Sequence, residues 1–469
     1  MPHVFVSAAH KSSGKTTVSI GLCAAIKNRG LKVQPFKKGP DYIDPMWLAS
    51  ASDRDCYNLD FYTMQNEEIR QTFDRYNQDA DISIIEGNKG LYDGLDLDGS
   101  NSNAALATML DAPVILVLDA RGMTRGIAPL ILGYQAFDEN INIAGVILNQ
   151  LGGSRHESKL RNVIEHYTDA AVIGAIHKHE DMAIVERHLG LLPSNESDSA
   201  SRYIANISKH VAASVDLDKV INIADSAPAS TKTYFPATEK KCNLRIAVAQ
   251  DAAFGFYYAS DLNAMREAGV DVVMFNTLHD AALPENIDGL FIGGGFPESS
   301  MQELEDNTSM RESIRNAIEA GLPTYAECGG MMYLSQSLTW NNKKNSMVGI
   351  IPGDTLMHEK PQGRGYVQIE ESNEFIWPTL ESDSASSHQA HEFHYSSLDN
   401  FEPNNEFQTA YTMKRGHGIN GEYDGIIYKN MLACYTHQRN VDSNPWVERF
   451  IQFILTNKSS QNLEGIELC

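Results

Sequence analysis

Three stretches of the N-terminal half carry residue types whose spacing suits phosphate and metal chemistry. Gly14-Lys15-Thr16-Thr17 closes a loop of small and polar residues after the apolar run Val4–Val6, and a helical pattern starts at Val18. Such a strand–loop–helix unit presents backbone N–H groups and a helix N-terminus to an anion. Lysine adds a point charge and threonine a hydroxyl for Mg²⁺. Gly14, Lys15, Thr16 and Thr17 are therefore expected to hold the phosphates of ATP. The strict pattern has glycine where this chain has Ala9, so the loop is a variant. The second stretch is Lys37-Lys38-Gly39-Pro40-Asp41-Tyr42-Ile43-Asp44-Pro45, two lysines and two aspartates in a Gly/Pro loop. The third is Glu86-Gly87-Asn88-Lys89-Gly90, which opens with an acid at the end of an apolar strand. A carboxylate there takes the place of a metal ligand. Thr16, Asp41 and Glu86 form the expected Mg²⁺ site, and Asn149, at another strand end, has an amide able to read a purine edge.

The C-terminal half carries a different chemistry. Pro323–Ala326 reads as a short strand, Glu327-Cys328-Gly329-Gly330 as a sharp turn, and a helical pattern begins at once. A nucleophile elbow has this form: the turn exposes the side chain, and the helix N-terminus favours the thiolate. Gly293-Gly294-Gly295 follows another strand, and Gly294 and Gly295 can aim N–H groups at an oxyanion. A cysteine nucleophile needs a base. His437, just beyond the apolar run Met431–Tyr435, and His391 and His394 in His-Glu-Phe-His are the candidates. Cys434 has no elbow and reads as core.

These groups need rigid elements to position them. Apolar runs at Leu31–Phe36, Ile82–Ile85, Pro113–Leu118 and Ile143–Leu148 alternate with helical patterns at Ala104–Leu110, Gly126–Gln135 and Glu157–Tyr167. That alternation predicts a mainly parallel α/β sheet covered on both faces, with ligands beyond the carboxyl ends of its strands. A stretch rich in Ala, Ser, Thr and Pro around Asp225–Lys241 reads as a linker, and a second alternating region opens at Leu244–Ala249. The expected domains are 1–224, a linker at 225–243, 244–457, and a tail at 458–469. A chain of 469 residues is long enough for two cores. Its net charge of −23 argues against a nucleic-acid surface. No apolar run approaches the length of a membrane span, and the chain opens on a strand, not a signal peptide. Six scattered cysteines without a CxxC pair point to a reducing compartment, the cytoplasm, and away from structural zinc.

The motifs also carry a family resemblance. AAHKSSGKTT, FKKGPDYIDP, Asn58–Asp60, EGNKGLYDG, Leu118–Met123 and ERHLGLLP at Glu186–Pro193 resemble the N-terminal half of cobyrinic acid a,c-diamide synthases. That half is similar to dethiobiotin synthetase, which activates a carboxylate with ATP. Gly293–Glu298, the Cys328 elbow, Arg364-Gly365-Tyr366, His391–Ser396 and Cys434–His437 resemble the same family's class I glutamine amidotransferase domain. The resemblance implies that Cys328 attacks glutamine and that His437 is its base, in a dyad, since no acid follows His437. It implies that an ATP-derived acyl phosphate is made on the a and c acetates of a tetrapyrrole acid, with Asp44, Tyr42, Lys38 and neighbouring loop residues orienting that acid. Cobyrinate, in cobalamin synthesis, is the leading substrate. Corrin-directed members carry apolar residues at the places of Asn88 and Lys89 and continue as Leu-His where this chain has Gln438-Arg439. Those departures resemble a branch that amidates siroheme-type rings for dissimilatory sulfite reductase, in which Lys89 would pair with a peripheral carboxylate. A homodimer is left open.

Overall fold

The computed structural model describes residues 1–182, 184, 186–187, 190–196, 199–228, 242–380 and 386–467. Residues 188–189 of ERHLGLLP and 229–241 of the expected linker lie outside the described residues, as does Cys469. The chain divides into two compact units at residues 235 and 236.

The first unit is a seven-stranded sheet. In spatial order its strands are Tyr57–Leu59, Val33–Lys38, Ile82–Glu86, His3–Ala8, Val114–Asp119, Ile143–Leu151 and Val172–His177, and every neighbouring pair is parallel. The central strands are buried along their whole length, the condition that demands continuous apolar runs. Two of the boundaries that differ from the sequence reading move site residues into regular elements. The second strand runs from Val33 to Lys38, not from Leu31 to Phe36, so both lysines belong to the sheet. The helix after the P-loop starts at Lys15, not Val18, because Gly14 turns the chain at φ 79° and helical hydrogen bonding begins at once.

The second unit is built on a nine-stranded sheet. Val270–Phe275, Leu244–Ala249, Gly289–Ile292, Thr324–Glu327 and Met431–Cys434 run parallel. Tyr423–Tyr428, Gln408–Arg415, Gly363–Glu371 and Ser387–His394 extend it with antiparallel pairings. One core lies on each side. Phe254, Ile314, Met331 and Tyr333 belong to one, Phe291, Tyr325, Trp446 and Phe450 to the other. The stretch expected as a tail from residue 458 instead continues the helix Trp446–Glu467. Its polar residues extend a helix that the apolar Phe450 and Ile454 have already anchored. No helix among the described residues is long and apolar enough to cross a membrane.

Candidate active sites

Parallel register brings the first site together. Lys37 stands opposite Glu86, and Glu86 opposite Val6, at the carboxyl ends of three adjacent strands. The P-loop helix delivers Thr16 into this corner, where its hydroxyl donates to Glu86 at 2.7 Å and to Asp44 at 3.2 Å. Lys15 reaches Glu86 at 3.7 Å and the Asn88 carbonyl at 3.4 Å. Burial holds its pKa below the usual lysine value, and the Lys37 charge adds to this.

Lys37 is the residue that sequence reasoning did not select. Its side chain is 1% exposed, and its ammonium lies 2.9 Å from Glu86, 3.7 Å from Asp41, and against Asp44. Burial opposes the charge, but Asp44, Glu86 and Asp41 together raise its pKa well above the ordinary value. The missed signal was a lysine within a strand buried on both faces. Ending that strand at Phe36 hid it.

The loop Gly39–Asp44 is tied by Asp41, whose Oδ1 accepts the N–H of Ile43 at 2.9 Å and of Asp44 at 3.1 Å. Burial and the Asp44 charge raise the Asp41 carboxyl to about 7, with Lys37 opposing. Tyr42 is buried at the start of the helix Ile43–Ser52. Lys38 donates to the Asn101 carbonyl at 2.8 Å, and burial lowers its pKa to about 8. Asn103, also unselected, fixes the third loop: its Oδ1 accepts the Asn88 N–H at 3.2 Å, and its amide donates to the Lys89 and Gly90 carbonyls. Lys89 is exposed and Asn88 half-buried. Asn149 stands beside the P-loop with one of its two amide N–H donors engaged. Its amide nitrogen bonds the Ser13 carbonyl at 2.9 Å and packs on Gly14, where a Cβ would come within 2.2 Å of it. It braces the P-loop.

Oxygen atoms of the type a divalent cation takes line this corner, with the Lys37 ammonium among them. Glu86 Oε2 is fully buried and has no hydrogen-bond partner among the described residues. With the Thr16 hydroxyl, Asp41 and Asp44 it makes a hard, all-oxygen donor set of the kind Mg²⁺ prefers.

The second site is assembled from two parallel strand ends. Glu327 pairs with Cys434 in register, so Cys328 and the segment Tyr435–His437 leave the sheet side by side. Cys328 turns sharply at φ 45° and ψ −102°, and the helix Gly329–Leu334 follows at once. Its N–H is held by the Cys434 carbonyl at 2.7 Å. A non-glycine residue in this conformation stores about 1–3 kcal/mol of strain. Asp424 anchors the other strand exit by accepting the N–H groups of Tyr435 and Thr436 at 3.0 and 2.8 Å.

Of the three candidate bases, His437 faces the thiol. Burial opposes its charge, but the hydrogen-bonded Cys328 sulfur and the Glu327 carboxylate outweigh this and raise its pKa to about 10. His391 lies behind it, ring on ring at 4.9 Å, and burial, with the His437 charge, lowers its pKa well below the ordinary histidine value. His394 stacks on Tyr435 at 3.9 Å and bonds the Ser396 carbonyl, a packing role. Gly294 lies beneath His437, where a Cβ would come within 2.5 Å of the imidazole, and Gly295 packs against Gly329. Cys434 is buried in the core with its thiol pKa raised by burial.

The expected dyad gains an acid from an unexpected side. Glu327, the residue before the nucleophile, places Oε2 at 3.4 Å from His437 Nδ1. Its Oε1 accepts the Gln438 N–H at 2.9 Å and the Tyr325 hydroxyl at 2.5 Å. An acid searched for only after the histidine is missed because the sheet, not the chain order, supplies it. The arrangement suits thiolate attack on an amide carbonyl, with proton return from an imidazolium.

A model of the CobB/CobQ-like glutamine amidotransferase domain matches residues 245–444, and an AAA domain model matches residues 3–183. A cobyrinate a,c-diamide synthase of Magnetococcus marinus is 42% identical over 460 residues, 97% of each chain. The chain belongs to the cobyrinate a,c-diamide synthase family. Proteins of that name from Dehalococcoides mccartyi and Methanosarcina acetivorans are 39% and 40% identical, covering 93% and 94% of this chain and 94% and 93% of their own. Members of this synthase family are carbon–nitrogen ligases that take nitrogen from glutamine, and the chain is an enzyme of that type.

Proposed function

We propose that the chain amidates the a and c acetate carboxylates of cobyrinate, using ATP to activate each acid and glutamine to supply ammonia. The observation that carries the reading is the presence in one chain of a buried Cys328–His437–Glu327 constellation and a P-loop whose Thr16 is surrounded by carboxylates.

In the second unit the Cys328 thiolate attacks the side-chain carbonyl carbon of glutamine. N–H groups at Gly294 or Gly295, with the elbow's own, hold the oxyanion. His437 gives its proton to the departing nitrogen, ammonia leaves, and water then cleaves the thioester to glutamate. Glu327 keeps the imidazole oriented and charged. In the first unit a substrate carboxylate oxygen attacks the γ-phosphorus of ATP, giving an acyl phosphate and ADP, and ammonia displaces phosphate to form the amide. Lys15 and the P-loop N–H groups hold the phosphates. Thr16, Asp41, Asp44 and Glu86 would hold Mg²⁺, which when bound neutralises phosphate charge. Asp44, Tyr42 and Lys38 orient the acid. The enzyme works in the cytoplasm.

Two expected results test the assignment of roles. Glu86→Gln should remove amidation whether glutamine or ammonium is the nitrogen source, while glutamine hydrolysis at Cys328 persists. Equal loss of hydrolysis would sever Glu86 from the ATP half. Glu327→Gln keeps the shape and removes the charge. It should lower kcat/KM for glutamine hydrolysis by about 100-fold and pull down the alkaline limb of the pH profile, because His437 then loses its proton below its present value of about 10. An unmoved limb would leave Glu327 with packing alone. The His437 charge also contributes to stability: raised above the free value, it stabilises fully below about 6.5 and fades as pH rises through about 10.

A second reading keeps the chemistry and changes the ring to siroheme or sirohydrochlorin. It is favoured by the exposed Lys89 on a loop fastened beside the P-loop. Incubation with cobyrinic acid, hydrogenobyrinic acid, sirohydrochlorin and siroheme, read by mass spectrometry, separates the two. Amides on a corrin ring support the first reading, and amides on the siroheme-type rings alone replace it.

A further inference from the structure

The helix Ile127–Phe137 has an unusual surface. Its 11 residues, IAPLILGYQAF, contain no charged side chain. It buries Ile127, Ala128 and Ile131, yet its other face is apolar too. Pro129, Leu132, Gly133, Ala136 and Phe137 are exposed, Leu132 by 44% and Phe137 by 74%. These positions fall at i, i+3, i+4, i+7 and i+8, one continuous stripe, and a helix apolar on all sides is normally covered on all sides. At the middle of the stripe is Gly133, and nothing lies within 4 Å of where its Cβ would stand. Another helix backbone can approach closely there.

The charges flanking the helix are the wrong way round for it. Arg125 stands just before the N-terminus and Asp138 and Glu139 just after the C-terminus. The macrodipole disfavours a cation at the first end and anions at the second. Arg125 and Glu139 have no ion-pair partner among the described residues. Arg125 instead lies 4.9 Å from the ring centre of Tyr167, itself 42% exposed, at the end of the adjoining helix Ser154–Tyr167. Beside the stripe a hollow lined by Leu132, Ala136, Glu139, His166 and Tyr167 leaves room for apolar side chains.

An antiparallel copy of the same helix resolves the apolar and the charge anomalies together. It covers the stripe, sets opposite dipole ends side by side, and brings Arg125 of one protomer to Asp138 and Glu139 of the other, twice by symmetry. We infer that Ile127–Phe137 is the face on which a second copy of this chain docks, antiparallel, about a twofold axis near Gly133, with reciprocal Arg125–Glu139 pairs at its ends. The helix also touches the first unit's site loops, through the Tyr134 hydroxyl on the Ala9 carbonyl and Phe137 against Tyr92.

The full-length protein is sized by sedimentation equilibrium, with circular dichroism as a check on folding. The expected result is a dimer. Phe137→Arg and Arg125→Glu should each raise the dissociation constant by at least about tenfold, and Gly133→Trp should do the same by blocking the close approach. The double variant Arg125→Glu with Glu139→Arg should return to a dimer, since the swapped charges again face opposite signs. That rescue also guards against a variant that fails only through misfolding. A wild-type monomer overturns the inference, as does a dimer indifferent to Phe137→Arg and Gly133→Trp. A charge-swapped double variant that stays monomeric overturns the antiparallel pairing.

Discussion

Cys328→Ala is expected to lower glutamine-supported amidation by about a thousandfold or more, while amidation supported by ammonium salts continues at its original rate. The separation follows from the placement of the thiol. Cys328 closes the strand Thr324–Glu327 in the second unit, and the ATP-side groups Lys15, Thr16 and Glu86 belong to the first. Removing the sulfur therefore removes the source of ammonia and leaves the acyl phosphate chemistry untouched. The effect is large because the neighbouring thiol cannot substitute: Cys434 is buried, and burial raises its pKa well above the usual range. Cys328→Ser, which puts a smaller hydroxyl oxygen in place of the sulfur, should be equally inactive with glutamine, since a hydroxyl beside His437 is a far weaker nucleophile. Loss of the ammonium-supported reaction in both variants would mean that the elbow is needed for more than nitrogen supply.

Lys37→Met is expected to cost about 3–5 kcal/mol of stability in the first unit, the loss that follows when one partner leaves a buried ionic cluster. Three carboxylates share the Lys37 ammonium: Glu86 at 2.9 Å, Asp41 at 3.7 Å, and Asp44 in contact. Without it they face one another with the charge of Lys15 alone nearby, and Lys15 reaches only Glu86, at 3.7 Å. The measurement is denaturant unfolding with and without millimolar Mg²⁺. The variant should recover part of its lost stability in Mg²⁺, because a divalent cation at the same oxygens replaces the missing charge. The wild type should gain less. A variant as stable as the wild type, or one blind to Mg²⁺, would show that the three acids do not depend on a central cation. Amidation should fail in the variant at all nitrogen concentrations, whereas glutamine hydrolysis should not.

Much of this was readable before any coordinates, because the motifs are local. Gly14–Thr17 and Glu327–Gly330 each state their backbone geometry within a few residues, and the apolar runs that lead into them state the sheet. Cys328 and His437 meet across a long stretch of chain because each follows a strand that lies beside the other. The side-chain partnerships not legible in the sequence come from residues that the fold, not the chain order, makes neighbours. Lys37 meets Glu86 only because two strands align, and Glu327 meets His437 only because Thr324–Glu327 lies beside Met431–Cys434. Asn103 and Asn149 brace loops through contacts with residues distant in sequence. No spacing rule announces such neighbours, since the sequence specifies which residues form strands more plainly than which strands adjoin. The helix boundary at the C-terminus failed for a simpler reason. A polar composition reads as a tail, yet a helix already anchored by packing propagates through polar residues at little cost.

The neighbours in the second sheet carry a consequence for how the molecule comes into being. Thr324–Glu327 and Met431–Cys434 touch, but the four antiparallel strands that widen the sheet, Gly363–Glu371 to Tyr423–Tyr428, are all spelled out between them. A ribosome emits the nucleophile at residue 328 and the base only at residue 437 of 469. Until Met431–Cys434 slots in beside its partner, Cys328 has no imidazole beside it. Contacts of such long separation also form slowly, so this half should mature after the first, whose P-loop, Lys37 and Glu86 all leave the ribosome within its opening strands. Ammonia production is thereby deferred to the end of synthesis, and a prematurely terminated product carries the machinery that consumes nitrogen but not the machinery that releases it.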